Sequence, residues 1–370
     1  MNNDYKVRLY LRLLQIPGIG LATGAKIITG CGGIENVFNA TFKEIAEKCG
    51  LNEKITQKIF LPIDEYKINE KINQCRNLGI EAICYEDPTY PSVLKAIDSP
   101  PLLLYCKGQI PEKWNYGIAI VGSRNPTPYG IQIARRLAYQ IARVGFAVIS
   151  DCALGIGTHA HLGALAAEGI TWAVMGLGLE RCHHPPQNLQ LLERITKKGL
   201  ILSEFPPRTV SSRSTVLLSN RIISGLSIGV VVVEAAQGCG SLLTARIALE
   251  QGRQLFAVPG RIDNPYAFGP NQLIKEGAKL VGALEDILEE INYLFPLVHL
   301  KAGDKERAEK IKLSKDEQQV YLAMDAEEIS VEELLKKTGL ASATLLSVLN
   351  RLEMKKIIHQ LPGRRYVRTL

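Results

Sequence analysis

A short loop at residues 122–124 combines the residue types that bind phosphate. Gly122-Ser123-Arg124 follows an apolar, β-branched run and precedes Pro126, Thr127 and a helical pattern. A strand that enters a helix through such a loop presents backbone N–H groups and the positive end of the helix dipole to an anion. Arg124 adds a permanent positive charge at the same place. The sequence therefore predicts that a phosphorylated ligand docks above Gly122.

Four further polar or glycine-containing loops follow other predicted strands. Because the carboxyl ends of parallel strands meet at one edge of a sheet, we expect all five loops to form one rim. Backbone N–H groups and hydroxyls along such a rim suit several phosphates, or a stretch of nucleic-acid backbone. The four loops cover residues 151–159, 176–178, 204–219 and 238–241.

The common nucleotide-binding motifs do not fit these loops. The first turn lacks the GxGxxG pattern of dinucleotide sites, and the chain contains no GxxxxGK[ST] P-loop. Cys182-His183-His184 has no partner set at metal-ligand spacing. We therefore expect neither a metal nor a cofactor.

One enzyme class remains as an alternative, the Rossmann-type nucleotide-processing enzymes. Nucleoside-monophosphate phosphoribohydrolases carry PGGxGTxxE in a comparable turn, where the glutamate performs acid–base or ion-stabilising work. Here the turn at 238–244 reads GCGSLLT, so Thr244 stands at the glutamate position. Glu204 and Glu234 lie near the rim, but no carboxylate pair replaces the missing glutamate. Binding is favoured over catalysis.

The alternation of apolar strands and helices from residue 117 onward predicts a doubly wound parallel sheet, an extended Rossmann-like α/β fold. Predicted strands cover 117–121, 146–150, 171–175, 200–203, 228–234 and 254–258. Predicted helices cover 129–144, 158–168, 187–198, 220–226, 241–251, 271–277 and 283–294.

Two smaller modules flank this domain, which we place at residues 116–294. Residues 1–60 predict a helical module of the helix-hairpin-helix or SAM-like type, because Pro17-Gly18-Ile19-Gly20 separates two helical patterns. Such a turn either contacts a nucleic-acid phosphate or only reverses the chain, and both interpretations stay open. Residues 61–115, which contain several prolines, predict a connector that packs on the core, and residues 295–312 predict a linker.

The C-terminal segment, residues 313–370, predicts a winged helix with three helices and a hairpin. Ser330 and Glu333 form a capping-box pattern at the start of the second helix. The hairpin carries Arg364, Arg365 and Arg368, which are secondary candidates for DNA contact. Winged helices also dock proteins, so whether this one binds DNA or a protein stays open.

Composition and charge predict a cytoplasmic protein that does not associate with membranes. The 370 residues carry a net charge of +7, a modest indication of an acidic partner. No apolar run approaches the roughly 20 residues of a membrane span. The polar N-terminus lacks a secretion signal, and the eight cysteines form no CxxC pair.

The segment from residue 117 to about 288 resembles the DprA/Smf family of DNA-processing proteins. The resemblance rests on a series of motifs with matching order and spacing. These motifs are AIVGSR at 119–124 with YG at 129–130, AHLGAL at 160–165, LSEFPP at 202–207, NRIISGLS at 220–227, VVEA at 232–235, GSLLTAR at 240–246, FAVPG at 256–260 and NQLIKEGA at 271–278.

This resemblance implies a homodimer that binds single-stranded DNA without sequence specificity. It also implies RecA as a partner, loaded onto that DNA during natural transformation, and it attributes no catalysis to the chain. Arg124 would be the main phosphate-binding arginine, assisted by the 211–221 loop. The expected DNA-binding residues are Gly122, Ser123, Arg124, Arg213, Thr215, Asn220, Arg221, Gly240 and Ser241.

Four positions depart from the family pattern. Leu154 stands where a basic residue is usual, and Gly157 stands where an aspartate is common. Val216 and Ser219 replace an aromatic residue and an arginine. A lost aromatic removes a stacking platform worth about 1–3 kcal/mol per base, so Arg124 is expected to matter more here.

Overall fold

The computed structural model describes residues 3–112, 114, 117–181, 186–291, 314–324, 329–355, 358–361 and 365–368. The chain forms two compact units, Met1–Leu288 and Glu289–Leu370. The predicted linker at 295–312 and the Cys182-His183-His184 segment lie outside the described residues. Within the described ranges, no helix is long and apolar enough to cross a membrane.

Six helices open the first unit: α1 (Asn3–Gln15), α2 (Leu21–Cys31), α3 (Ile34–Asn39), α4 (Phe42–Cys49), α5 (Glu53–Ile59) and α6 (Glu65–Leu78). The turn between α1 and α2 contains Gly18 in the left-handed region, with φ of +94°. The side chains of Thr41, Asn52 and Asp64 cap α4, α5 and α6. Buried apolar side chains of this helical module share one core with the neighbouring face of the sheet.

A nine-stranded sheet has the order β1-β2-β6-β5-β4-β3-β7-β8-β9. Strands β3 to β9 are parallel, which confirms the predicted doubly wound fold. The strands are β1 (Glu81–Cys84), β2 (Leu103–Gly108), β3 (Gly117–Val121), β4 (Ala147–Asp151), β5 (Thr171–Val174), β6 (Leu200–Ser203), β7 (Ser227–Val232), β8 (Gln254–Ala257) and β9 (Lys279–Leu280).

Strands β1 and β2 lie within residues 61–115, the segment predicted as a connector that packs on the core. β2 pairs antiparallel with β6, and β1 pairs antiparallel with β2, so both strands extend the sheet. The first four residues of β2 are buried, and buried backbone N–H and C=O groups need hydrogen-bond partners, which the sheet provides. The prolines of this segment lie outside the strands, where they interrupt no ladder.

Helices cover both faces of the parallel strands. On one face lie α8 (Pro128–Arg143), α9 (Ile156–Ala166) and α10 (Leu189–Lys198), and on the other lie α11 (Arg213–Gly225) and α12 (Gly240–Glu250). The shorter helices are α7 (Ser92–Lys95), α13 (Phe268–Lys275) and α14 (Leu284–Ile291). Helix α11 begins seven residues before its predicted start at 220, because Ser212 and Thr215 form a capping box.

The second unit has the predicted winged-helix elements. Its three-stranded sheet has the order β10-β12-β11, and Ser330 and Glu333 form the predicted capping box. The short strand β10, which pairs with β12, was not predicted. The elements are α15 (Lys315–Ala323), β10 (Ile329–Ser330), α16 (Val331–Thr338), α17 (Ser342–Met354), β11 (Ile358–Leu361) and β12 (Arg365–Arg368).

Candidate nucleic-acid interface

The loops that follow β3 to β7 lie at one edge of the sheet, because these strands are parallel. The chain crosses from β3 toward β4 on one side and from β7 toward β8 on the other. The gap between β3 and β7 is therefore a topological switch point, where open α/β sheets bind ligands. Arg124 follows β3 and Gly240 follows β7, so the two flank this gap.

Arg124 stands on a loop whose backbone is held on both sides. The Ser123 N–H donates to the Glu234 carbonyl (2.6 Å), and the Ser123 carbonyl accepts from the Ile156 N–H (3.0 Å). Gly155, with φ of +99°, lies so close that a Cβ there would be 2.6 Å from the Arg124 Cα. The Arg124 side chain is exposed. The rim thus presents one guanidinium group on a pre-organised backbone.

Glu234 supports this loop from below. Its carboxylate accepts hydrogen bonds from the Thr127 N–H (2.8 Å) and the Thr127 hydroxyl (2.6 Å). Thr127 in turn caps α8 by accepting from the Gly130 N–H. The Glu234 side chain is buried, so both carboxylate oxygens are engaged in fixing the start of α8. Glu234 is placed for positioning the Arg124 loop rather than for proton transfer at the rim.

Arg221 forms a buried ion pair with Glu204. Its two terminal nitrogens donate to the two carboxylate oxygens, at 2.8 and 2.5 Å. The guanidinium also donates to the carbonyls of Ser99 and Leu218. Burial raises the pKa of Glu204, and the charge and hydrogen bonds of Arg221 oppose that rise. Arg221 was predicted to contact DNA, but it is only 8% exposed. Its guanidinium is instead bound to Glu204 and to two backbone carbonyls within the protein.

The loop after β4 explains one departure from the family pattern. A Cβ at Gly157 would lie 2.3 Å from the Asp151 Oδ1, so the Asp151 carboxylate fills the space that a larger residue at 157 would need. Burial raises the pKa of Asp151, while the positive charge of Arg124 opposes the rise. Leu154, where a basic residue is usual, is 42% exposed. The positive charge of Arg124 thus acts on the Asp151 carboxylate at this edge.

The start of α11 supplies a second exposed arginine. Arg213 is the first residue of the helix and is exposed. The Thr215 hydroxyl donates to the Gly176 carbonyl (2.6 Å), which ties the helix to the loop after β5. Ser219 and Asn220 are buried, so neither side chain is directly accessible at the rim. Arg213 therefore has the accessible positive charge of this loop.

The N-terminus of α12 offers backbone donors at the switch point. Gly240, the first residue of α12, is exposed. The Ser241 hydroxyl donates to the Cys239 sulfur at 3.2 Å and is mostly buried. The first N–H groups of a helix have no intrahelical acceptor, and they attract anions. Gly240 thus contributes backbone groups, whereas Ser241 contributes little accessible side chain.

Gly122 and Ser123, the other predicted contacts near Arg124, both pack into the protein. Gly122 packs against the fold, because a Cβ there would be 2.6 Å from the Ile156 side chain. The Ser123 hydroxyl accepts from the Asn125 N–H (3.0 Å) and is buried.

Thr127 and Asp151 were not predicted as site residues. Thr127 could have been identified from the Thr127-Pro128 pair, which is typical of the start of a helix.

Ser227 lies in a GxSxG pattern at residues 225–229, the pattern of a hydrolase nucleophile elbow. Its hydroxyl is buried at the first residue of β7 and donates to the Ile223 carbonyl (2.6 Å). It therefore lies at the amino end of β7, away from the rim.

In the winged-helix unit, much of the basic charge is already paired. Glu317, which is buried, accepts from Lys355 (2.7 Å) and lies 4.0 Å from Arg351. Arg365 is exposed, and its charge helps to lower the pKa of Glu333, which is set mainly by the hydrogen bonds of Ser330. Arg364 and the side chain of Arg368 lie outside the described residues. Two of the basic residues that precede the hairpin, Arg351 and Lys355, are thus engaged by Glu317.

Two family models match the chain. The model for DNA recombination-mediator protein A matches residues 81–292, and the model for the DprA winged helix domain matches residues 304–364. The first match begins at β1, in agreement with the place of β1 and β2 in the sheet.

Sequence similarity to curated relatives covers most of the chain. The chain is 43% identical to the DNA processing protein DprA of Bacillus subtilis, over 58% of this chain and 73% of that protein. It is 30% identical to the protein Smf of Synechocystis, over 97% of this chain and 98% of that protein.

Two solved structures are similar in fold and sequence. The X-ray structure of DNA processing protein A from Streptococcus pneumoniae matches with a TM-score of 0.67 at 30% identity, over 78% of this chain and 98% of that one. DNA processing protein A from Helicobacter pylori matches with a TM-score of 0.52 at 29% identity, over 59% of this chain and 98% of that one. The Helicobacter protein is described as having a unique single-stranded DNA binding mode.

Proposed function

Because the chain belongs to the DNA recombination-mediator protein A family, known as DprA/Smf, we propose that it binds single-stranded DNA along the rim without a catalytic step. Arg124 makes the main phosphate contact. Arg213 and the N–H groups at Gly240 extend that contact along the backbone of the strand. The observation that carries this proposal is the exposed Arg124 guanidinium on a hydrogen-bonded loop at the switch point.

The buried residues of the predicted site have a supporting role in this proposal. Arg221, Asn220 and Ser123 hold the loops in place, since their side chains are buried. Contacts to the DNA backbone carry no sequence information, so the proposed binding is independent of sequence. The aliphatic residues Leu154 and Val216 in place of a basic and an aromatic side chain leave Arg124 with a larger share of the affinity.

Oligonucleotide binding against salt concentration tests the rim. Affinity of the protein for a single-stranded oligonucleotide is expected to fall steeply with salt, because bound phosphates release counterions. Arg124→Ala is expected to bind more weakly, with a slope of log K against log salt reduced by about 0.7 for each lost phosphate contact. Arg246→Ala, an exposed arginine on α12, is the matched control. An Arg124→Ala variant that binds like this control contradicts the assignment.

We further propose that the protein protects incoming single-stranded DNA and loads RecA onto it during natural transformation. The family relationship supports the recombination-mediator role. RecA ATP hydrolysis on DNA coated with single-strand-binding protein is the direct assay. The protein is expected to shorten the lag before hydrolysis, and Arg124→Ala is expected to lose this effect. An unchanged lag with the unaltered protein would argue against loading.

A cytoplasmic homodimer is the proposed working form. The edge of the sheet at β9 supports it, because exposed apolar side chains follow β8 at Ile262, Phe268 and Leu280. Apolar side chains on an exposed sheet edge favour association with a second copy. Sedimentation of the protein and of a Leu280→Glu variant tests this arrangement: the variant is expected to shift toward monomer, and a monomeric parent protein contradicts it.

A further inference from the structure

A groove lies on the face of the sheet covered by α8, α9 and α10, outside the rim. It has a volume of about 410 Å³ and is lined on its sides by Arg135, Arg136, Tyr139 and Arg194. Its floor includes Gly163, where a Cβ would lie 2.4 Å from the Arg135 carbonyl oxygen. The other lining residues between the arginines are Leu162 and Ala166, so this part of the groove is apolar. The groove is thus lined by three arginines, one aromatic ring and an apolar stretch of α9.

The residues that line this groove carry positive charge only, since none of them is acidic. Helices α8 and α9 contain no aspartate or glutamate, whereas α10, which carries Arg194, also carries Glu193. Arg135 donates to the His159 Nδ1 (3.2 Å), and Arg136 donates to the Gly282 carbonyl (3.3 Å). The Gly282 carbonyl carries no charge. Burial and the Arg135 charge lower the pKa of His159, which favours its uncharged form. The arginines therefore retain their charge toward solvent.

Helix α8 runs from the rim to the groove, because it begins just after the Arg124 loop and carries Arg135, Arg136 and Tyr139 further along. The helix starts four residues beyond Arg124, and its exposed side chains include Tyr129 (48% exposed), Arg135 and Tyr139 (43% exposed). At 1.5 Å per residue, Tyr139 lies about 15 Å along the helix from Tyr129. Alternating cations and aromatic rings along a surface are the features that bind single-stranded nucleic acid, through phosphate contacts and base stacking.

We propose that single-stranded DNA leaves the rim along α8 and occupies this groove, with a base stacked on Tyr139 and phosphates on Arg135, Arg136 and Arg194. The inference rests on the proposed binding at Arg124 and extends the bound strand by a second segment. It commits to a nucleic-acid strand rather than an acidic protein, because the exposed Tyr139 ring offers a stacking surface to a base and α8 leads from the groove to the proposed phosphate site.

Oligonucleotide length separates the two segments experimentally. Binding of oligothymidylates of about 6 and about 16 nucleotides is measured for the full chain and for the variants Tyr139→Ala and Arg194→Glu. Both variants are expected to lose at least about fivefold in affinity for the longer strand and to bind the shorter strand like the parent protein. Arg246→Glu, a reversal of an exposed charge on the opposite face, is the control, and thermal melting checks that each variant is folded.

The outcomes distinguish the groove from the rim. Equal binding of the longer strand by Tyr139→Ala, Arg194→Glu and the control overturns the groove, as does equal affinity of the parent protein for both lengths. Losses of the same size for both strands also overturn it, because they indicate an effect on the rim or on the fold. If the Arg124→Ala variant binds both strands like the parent protein, the rim assignment fails. If the groove variants still bind the longer strand more weakly in that case, the groove is the primary binding site.

Discussion

The Asp151 carboxylate lies directly in front of Gly157, at the place where any side chain on residue 157 would project. A Cβ at 157 would be 2.3 Å from the Asp151 Oδ1 and 2.6 Å from the Asp151 carbonyl oxygen. The DprA/Smf pattern leads one to expect an aspartate at 157. In this chain the Asp151 carboxylate occupies the neighbouring space, and the positive charge of Arg124 opposes the rise in its pKa that burial causes.

The fit between these residues predicts a coupled pair of substitutions. Gly157→Ala forces a methyl group against Asp151 and is expected to destabilise the protein by about 1–3 kcal/mol, as overpacking does. Asp151→Gly combined with Gly157→Ala removes the side-chain clash and is expected to recover part of that loss. Urea unfolding of the two single variants and the double variant measures the coupling. Strictly additive changes in the free energy of unfolding contradict the contact.

The two arginines of helix α11, Arg213 and Arg221, are expected to behave differently. Arg221→Ala leaves the Glu204 carboxylate buried without its partner, which costs about 3–5 kcal/mol of stability. Arg213→Ala removes an exposed side chain and is expected to change stability by less than about 0.5 kcal/mol, yet to weaken DNA binding. Urea unfolding and oligonucleotide titration, run on both variants, separate the roles. A stable Arg221→Ala variant with weak DNA binding would return Arg221 to the list of direct contacts.

Burial of His161 predicts a pH dependence of stability. Its ring contacts the Thr171 hydroxyl (2.7 Å) and the Asp151 carbonyl (3.0 Å), and burial lowers its pKa from 6.5 to about 4. Between these two values the unfolded chain binds a proton that the folded chain does not. The contribution is therefore complete above pH 6.5 and is lost as the pH falls toward 4, by about 3 kcal/mol in total.

The control for this titration is His161→Asn. The variant is expected to be less stable at neutral pH but to show a smaller decrease in unfolding free energy between pH 6.5 and 4. Urea unfolding at several pH values gives both curves. Parallel curves for the protein and the variant would assign the acid sensitivity to other groups.

The sequence was sufficient to predict the parallel strands of the core and the position of Arg124 at the edge of the sheet. Apolar runs separated by helical patterns predict parallel strands, and parallel strands place their loops together, which is why the rim could be anticipated. The edge strands β1 and β2 lie in the segment predicted as a connector, and their place in the sheet was not anticipated, because antiparallel addition to β6 depends on distant residues. Local patterns report such pairing poorly.

The role of Arg221 could not be read from the sequence, because its environment depends on a residue 17 positions away. An arginine in a helix beside a glycine-rich rim has the pattern of a DNA contact. Only the crossing of α11 over the sheet brings Glu204 to it and removes both groups from solvent. Charged residues are rarely buried unless paired, and the pairing is tertiary information. The same holds for Glu234, whose partner Thr127 lies 107 positions away.

Glu234 separates the binding function from the alternative of a nucleotide-processing enzyme. Its carboxylate accepts both the N–H and the hydroxyl of Thr127. Glu234→Gln directs an amide NH2 toward one of these groups, so we expect a loss of stability of about 1–3 kcal/mol and weaker binding of DNA at Arg124. Incubation with nucleoside monophosphates is expected to release no free base from the unaltered protein. Base release that disappears in Glu234→Gln, while the variant keeps its stability and DNA affinity, would instead make Glu234 an acid–base group.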